Sequence, residues 1–181
     1  MNPDFFLHNT SKVVTVDEEQ ATSDNPLGII EGGAVAVEGS QIVWVGPADE
    51  IQQSDYPNAR WIDMNGHIVL PGLIDSHTHP IFGGNRSDEF EMRLQGKSYL
   101  EIAQAGGGIQ RTVEATRQMH SEELYQLARE RLLTMMTYGV TTIEAKSGYG
   151  LDWDSERKSL NVIKRLKENL PMSIFATYMG A

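Results

Sequence analysis

The chain has 181 residues, 40% of them hydrophobic, and 15 Lys+Arg against 25 Asp+Glu give a formal charge of −10. That is the profile of a globular protein of one domain, or one and part of another, and an acidic surface with no Lys/Arg stripe argues against a nucleic-acid partner. Cysteine is absent, which removes a disulfide scaffold, a thiolate zinc site and a cysteine nucleophile together, so any metal must rest on imidazole and carboxylate.

In chain order, Met1-Asn2-Pro3-Asp4 places no basic segment ahead of Phe5-Phe6-Leu7, so no secretory signal is expected and the cytosol is the default address. Phe5 to His8, Lys12 to Asp17, Ala34 to Glu38 and Gln41 to Val45 are β-branched or alternating runs separated by Asn25-Pro26, Gly32-Gly33, Gly39-Ser40 and Gly46-Pro47. Gly39-Ser40 between two alternating runs predicts a hairpin. Residues 1–70 therefore read as a small β-rich unit. The greasiest run, Ile68 to Ile74, is cut by Pro71 and Gly72, far short of the roughly 20 apolar residues that cross a bilayer, so a membrane span is excluded.

After Pro71-Gly72 the period changes. Two helical stretches are expected between Ser87 and Met119, one of them opened by the capping box Ser98-Tyr99-Leu100-Glu101. Ser121 is placed to cap a helix carrying Leu124, Leu127, Ala128, Leu132, Met135 and Met136, ending at Gly139. A strand Val140 to Ala145, a loop Ser147-Gly148-Tyr149-Gly150, a helix from about Asp154 bearing Leu160, Ile163, Leu166 and Leu170, and a strand Ser173 to Tyr178 complete the pattern. Strands alternating with helices indicate an α/β fold with a parallel sheet. Set against a (β/α)₈ barrel of about 250 residues, residues 71–181 supply under half. The chain then reads as an N-terminal fragment, expected to leave the Ser173 to Tyr178 edge and the Leu160, Ile163 and Leu166 face uncovered.

The chemistry concentrates in Leu70-Pro71-Gly72-Leu73-Ile74-Asp75-Ser76-His77-Thr78-His79. In an extended strand the period of two puts the His77 and His79 imidazoles on one side and Thr78 on the other. Two neutral ring nitrogens at the C-terminal end of a parallel strand are positioned to chelate a divalent metal. A bare His-x-His triplet reads more simply as a chance surface pair, but the Pro-Gly-Leu-Ile-Asp ahead of it and Pro80-Ile81-Phe82 after it favour the metal.

A β-rich start followed by Pro-Gly-x-Ile-Asp-x-His-x-His resembles the amidohydrolase superfamily, metal-dependent hydrolases built on a (β/α)₈ barrel beside a small β-sandwich. Three segments narrow the resemblance to the imidazolonepropionase family: Phe82-Gly83-Gly84-Asn85-Arg86-Ser87-Asp88-Glu89-Phe90-Glu91-Met92-Arg93-Leu94, Tyr99 to Ile109 with its Gly106-Gly107-Gly108, and Gly139 to Leu151. The match runs in order from about Pro71 to Ala181, and the first 70 residues match loosely. Ser76 stands where that family often has Cys, and the family's Gly-Ala-His is cut after Gly180-Ala181.

The resemblance implies a single zinc or iron ion on His77 and His79, activating water for hydrolysis of the ring amide of 4-imidazolone-5-propanoate to N-formimino-L-glutamate in histidine degradation. The other metal ligands and the catalytic acid/base group would lie beyond residue 181. The substrate carries a propanoate, for which Arg86 offers a guanidinium fork. Tyr149, between two glycines, and Tyr99, at a helix start, offer hydroxyls, with packing an equal role for Tyr99. The partner is then a small molecule, and a homodimer is compatible with it. Another amidohydrolase acting on a cyclic amide or aminated base is the alternative, as is a noncatalytic fragment. Lys146 is expected at a pocket wall and Glu144 in support of its strand end. His8, His67 and His120 lack a partner at ligand spacing.

Overall fold

The computed structural model describes residues 1–180. The chain is a mixed α/β protein that divides after Pro71 into two compact units.

The first unit is built from seven short strands: β1 (Phe5–His8), β2 (Lys12–Val14), β3 (Ile29–Glu31), β4 (Gly33–Glu38), β5 (Gln41–Pro47), β6 (Arg60–Asp63) and β7 (Ile68–Val69). They form a four-stranded sheet in the order β5-β4-β1-β6 and a three-stranded sheet in the order β3-β2-β7. The expected hairpin is present: Glu38 pairs with Gln41 across Gly39-Ser40, and Gly39 takes φ +60° at the first turn position, a conformation costly for any residue with a Cβ. Phe6, Ala34 and Ala36 are fully buried, and the Phe6 ring stacks on Trp61 at 4.3 Å between centroids. Strands β3, β6 and β7, of two to four residues, are not among the runs read from the sequence. Their partners select them. β6 adds to β1 in parallel, with Phe6 beside Trp61.

The second unit begins at Gly72 and contains β8 (Leu73–Thr78), β9 (Val140–Lys146) and β10 (Ser173–Thr177), all parallel, with β9 in the centre. Helices α1 (Ser87–Leu94), α2 (Tyr99–Gln104), α3 (Ile109–Gln118) and α4 (Ser121–Thr137) connect β8 to β9, and α5 (Trp153–Asn169) connects β9 to β10. Three helices thus occupy the Ser87 to Met119 stretch where two were expected. Gly96, Gly106 and Gly108 take φ of +84°, +82° and +86° and interrupt the helix between them. The Ser98 capping box forms, with Ser98 N–H donating to Glu101 Oε2 at 2.8 Å and Glu101 N–H to Ser98 Oγ at 3.3 Å. Ser121 is the first residue of α4 rather than its cap, and the N-cap position falls to His120, whose N–H donates to Glu123 Oε2 at 3.0 Å.

Ile143 and Ala145 of β9 face a core made with Leu124, Ala128 and Leu132 of α4, Val162, Ile163 and Leu166 of α5, Ile174 of β10, and Ile81. The apolar face of α5 is therefore covered, against the sequence expectation: Ile163 is 0% and Leu166 1% exposed. The helix closes back on the two strands it connects, as a crossover between adjacent parallel strands must.

Leu132 sits in this core with no exposure. Leu132→Ala removes a buried isobutyl group and leaves a cavity, and is expected to destabilise the second unit by about 2–5 kcal/mol. Chemical denaturation of the variant, compared with wild type, measures it.

Candidate active site

The site is built at the C-terminal end of β8, where parallel pairing with β9 sets Thr78 beside Ala145. Thr78 turns to β9 and donates its hydroxyl to the Glu144 carbonyl at 2.8 Å. His77 and His79 lie on the other face of the strand, their ring centroids 5.7 Å apart and the rings tilted by 58°. His77 is exposed and His79 half-buried. Among the described residues no third imidazole or carboxylate joins them in a metal-ligating group. As donors they supply two ring nitrogens at one strand end, which fits a partial ligand set for a divalent metal.

The chain beyond His79 is held from outside the strand. Arg131 on α4 donates from Nη1 to the carbonyls of Pro80 and Phe82 at 2.9 and 2.8 Å, and its guanidinium lies 3.5 Å from the Phe82 ring centroid. Burial pushes the Arg131 pKa down from its ordinary value, yet a guanidinium stays charged at any physiological pH. Gly83 follows, its N–H donating to the Thr116 hydroxyl at 3.0 Å. A Cβ at Gly83 would lie 2.8 Å from the Ala115 carbonyl carbon, so only glycine allows α3 to approach this closely. A crevice of about 200 Å³ lies here, lined by Gly83, Gly84, Asn85, Arg111, Thr112 and Ala115.

Arg86 stands at the N-cap position of α1. Its Nη1 is 3.9 Å from Glu89 Oε2, with the Arg86 side chain 41% and the Glu89 side chain 5% exposed. Glu89 Oε1 in turn accepts from Gly108 N–H at 2.9 Å. Tyr99 belongs to the same cluster: its hydroxyl would lie 3.8 Å from a Cβ built on Gly108, and the residue is 68% exposed. Arg86 and Tyr99 are thus gathered around the Gly108 turn.

Tyr149 is brought to the histidines. Its ring meets His79 edge-on at 5.6 Å and Phe82 at 5.8 Å. The preceding Gly148 has φ +126°, and a Cβ there would lie 3.5 Å from His79 Cε1. On the next turn of chain, Asp152 caps α5 by accepting from Ser155 N–H at 2.8 Å and pairs with Arg117 Nε at 2.9 Å, while the same Nε donates to the Gly150 carbonyl at 2.7 Å. These contacts hold the Asp152 carboxyl below its ordinary range, the Ser155 N–H being the largest cause.

Glu144 and Lys146 form a strand-end network instead of a ligand pair. Glu144 Oε1 accepts from Lys146 Nζ and from the Thr177 hydroxyl, both at 2.6 Å. These bonds lower the Glu144 pKa. His67 is engaged elsewhere, its Nδ1 2.7 Å from the Met64 carbonyl. Sequence reading misses Glu89, Arg131 and Glu156, because a charged residue in a helix has no local mark of being buried.

The fold has counterparts among solved structures. Over 96% of its length the chain superposes on E. coli guanine deaminase with a TM-score of 0.66 at 14% identity, covering 36% of that chain. A variant of atrazine chlorohydrolase from Arthrobacter aurescens, solved with zinc and atraton, superposes over the same 96% with a TM-score of 0.61 at 20% identity, covering 35% of that chain. At these identities the likeness is one of fold.

The sequence relatives are imidazolonepropionases. The chain is 54% identical over 153 residues to the enzymes so named from Pseudomonas fluorescens and Pseudomonas aeruginosa, an alignment spanning 84% of this chain and 38% of each relative. Residues 33–54 match the family model described as an imidazolonepropionase-like composite domain of bacteria. By sequence the chain is a relative of the imidazolonepropionases, and the resemblance read from its motifs is borne out. The likeness also reaches further upstream than those motifs, because the stretch after Pro71 is shorter than the alignment and the family-model match lies in the first unit.

Asp152→Ala removes the α5 cap and the Arg117 partner and is expected to lower stability at neutral pH, whereas Asp152→Asn keeps the cap and most of the stability. A carboxyl whose folded pKa is depressed stabilises fully above its unfolded value of about 3.9 and progressively less as pH falls through the folded value. The gap between wild type and Asp152→Ala should accordingly be constant from pH 7 to 5 and shrink below about 4. Denaturation midpoints at pH 7, 5 and 3 check this.

Proposed function

We propose that the full-length protein carrying this chain is an imidazolonepropionase, hydrolysing the ring amide of 4-imidazolone-5-propanoate to N-formimino-L-glutamate. The observation that carries the reading is the His77 and His79 pair at the end of a parallel strand with Tyr149 packed against it, in a chain 54% identical to imidazolonepropionases over 153 residues. On this reading residues 1–70 are a sandwich-forming segment and residues 71–181 the first part of a (β/α)₈ hydrolase barrel.

His77 and His79 would hold one zinc or iron ion through ring nitrogens, with the remaining protein ligands and the acid/base group supplied by later parts of the full-length protein. Bound there, a metal supplies Lewis-acid polarisation of the ring carbonyl and activation of water. The residues of this chain bind and orient. Arg86 presents a planar fork to the propanoate, which fixes the ring relative to the histidines. Glu89 lies beside that fork, its Oε2 3.9 Å from Arg86 Nη1. Tyr149 contributes its phenol as a hydrogen-bond donor, since a group with a reference pKa of about 10 is a poor base at neutral pH. Tyr99 adds a second hydroxyl near the Gly108 turn.

Metal content tests the histidine assignment directly. His77→Ala and His79→Ala in the full-length protein should each lose most bound metal relative to wild type by elemental analysis, and wild-type content in both would refute the assignment.

The propanoate assignment predicts that Arg86→Ala raises KM for 4-imidazolone-5-propanoate and lowers kcat/KM by about tenfold or more, the scale of a charge-assisted pair. Arg86→Lys should recover only part, having the charge without the fork. Steady-state kinetics on the three proteins decides it.

A further inference from the structure

Glu156 lies in the first turn of α5 and is 2% exposed. A buried carboxylate is costly unless its oxygens are fully hydrogen-bonded. Its partners are three peptide N–H groups of one loop: Oε2 accepts from Gly148 at 2.8 Å, and Oε1 from Gly150 at 2.7 Å and Leu151 at 3.0 Å. Those donors bracket Tyr149. They also hold Leu151, which carries a side chain, at φ +53°, a conformation L residues seldom adopt, beside Gly148 at φ +126°, which glycine takes freely. Gly150 packs so closely on the start of α5 that a Cβ would lie 2.6 Å from Glu156 N.

We propose that Glu156 is a positioning residue for the active site: its carboxylate clamps the Gly148–Leu151 backbone, and through it sets the Tyr149 ring and the Gly148 main chain against the His79 imidazole. The inference rests on the reading of His79 and Tyr149 as site residues. Glu156 touches neither substrate nor metal in this role. The asymmetry of its bonds makes the role testable. In Glu156→Gln the amide oxygen keeps the two donors at Gly150 and Leu151, while the NH₂ group faces the Gly148 N–H donor to donor, releasing the arm beside His79. Glu156→Asp keeps the charge in the first turn of α5 but is one methylene short of the loop.

The test uses the full-length, metal-loaded protein with two readouts. By hydrogen exchange, the peptide covering residues 147–151 should exchange about tenfold faster in Glu156→Gln, with residues 158–169 of α5 unchanged. Glu156→Asp should show the same confinement, and serves alone where the Gln variant does not fold. In turnover, Glu156→Gln should lower kcat/KM for imidazolonepropanoate, and Tyr149→Phe should cost under about twofold in that background while costing more in wild type, because one substitution already undoes what the other removes. Unchanged exchange at 147–151, an increase spread evenly over the second unit, or two turnover losses that simply multiply would overturn the proposal. A wild-type enzyme that leaves imidazolonepropanoate intact would refute the assigned reaction, and the exchange readout would still judge the clamp.

Discussion

The parallel pairing of β8 with β9 is the constraint on which the second unit depends. Parallel strands bring their C-terminal ends to the same edge, so the register that sets Thr78 beside Ala145 also sets the loops after both strands next to each other. Thr78 bonds the β9 backbone, and the alternation of an extended chain then turns His77 and His79 to the opposite side. Tyr149, far away in sequence, arrives at His79 because the loop carrying it leaves the same end of the sheet. A one-residue slip would move both imidazoles to the opposite face of the sheet and leave Thr78 at the site.

The loops that leave this edge are fixed by charged side chains bonded to backbone more than by ion pairs. Arg131 holds the Pro80 and Phe82 carbonyls. Lys158 caps the end of α3 through the carbonyls of Thr116, Arg117 and Met119 at 2.8 to 2.9 Å, and burial lowers its pKa. Glu89 takes the Gly108 N–H, and Glu156 takes three N–H groups of the Tyr149 loop. Each spans two elements and satisfies peptide groups that a close-packed loop would otherwise strand. In a chain without cysteine, such bonds do the local bracing that a disulfide does elsewhere. Gly83, Gly148 and Gly150 complete the arrangement by letting backbone pass where a Cβ would collide.

The first unit shows the limits of short-range pattern. The β4–β5 hairpin was legible because alternation on both arms and Gly39 at the turn agree. Strand β6 was not, since Arg60-Trp61-Ile62-Asp63 becomes a strand by joining β1 in parallel, a partner more than fifty residues away. The family likeness follows the same division. Motifs marked it after Pro71, where glycines and histidines are dictated by a site, while its extension into residues 33–54 rests on strand residues that many β units share.

What the sequence by itself determined is periodic or local. The α/β alternation of the second unit, the helices α4 and α5 within a few residues, the Ser98 capping box and the His77 and His79 pair all follow from spacings of two, three or four residues, and those spacings are set by backbone geometry alone. The motif run from Pro71 to Leu151 added the family. The tertiary structure decided which charged residues are inside. Glu156 and Arg157 are neighbours in one helix, the first 2% exposed and the second with a side chain 60% exposed, and nothing in their local sequence separates them. The difference comes from which side of α5 meets the loop before it. Burial and partnership of a polar group depend on surfaces contributed by distant segments, so they exist only once the chain has packed.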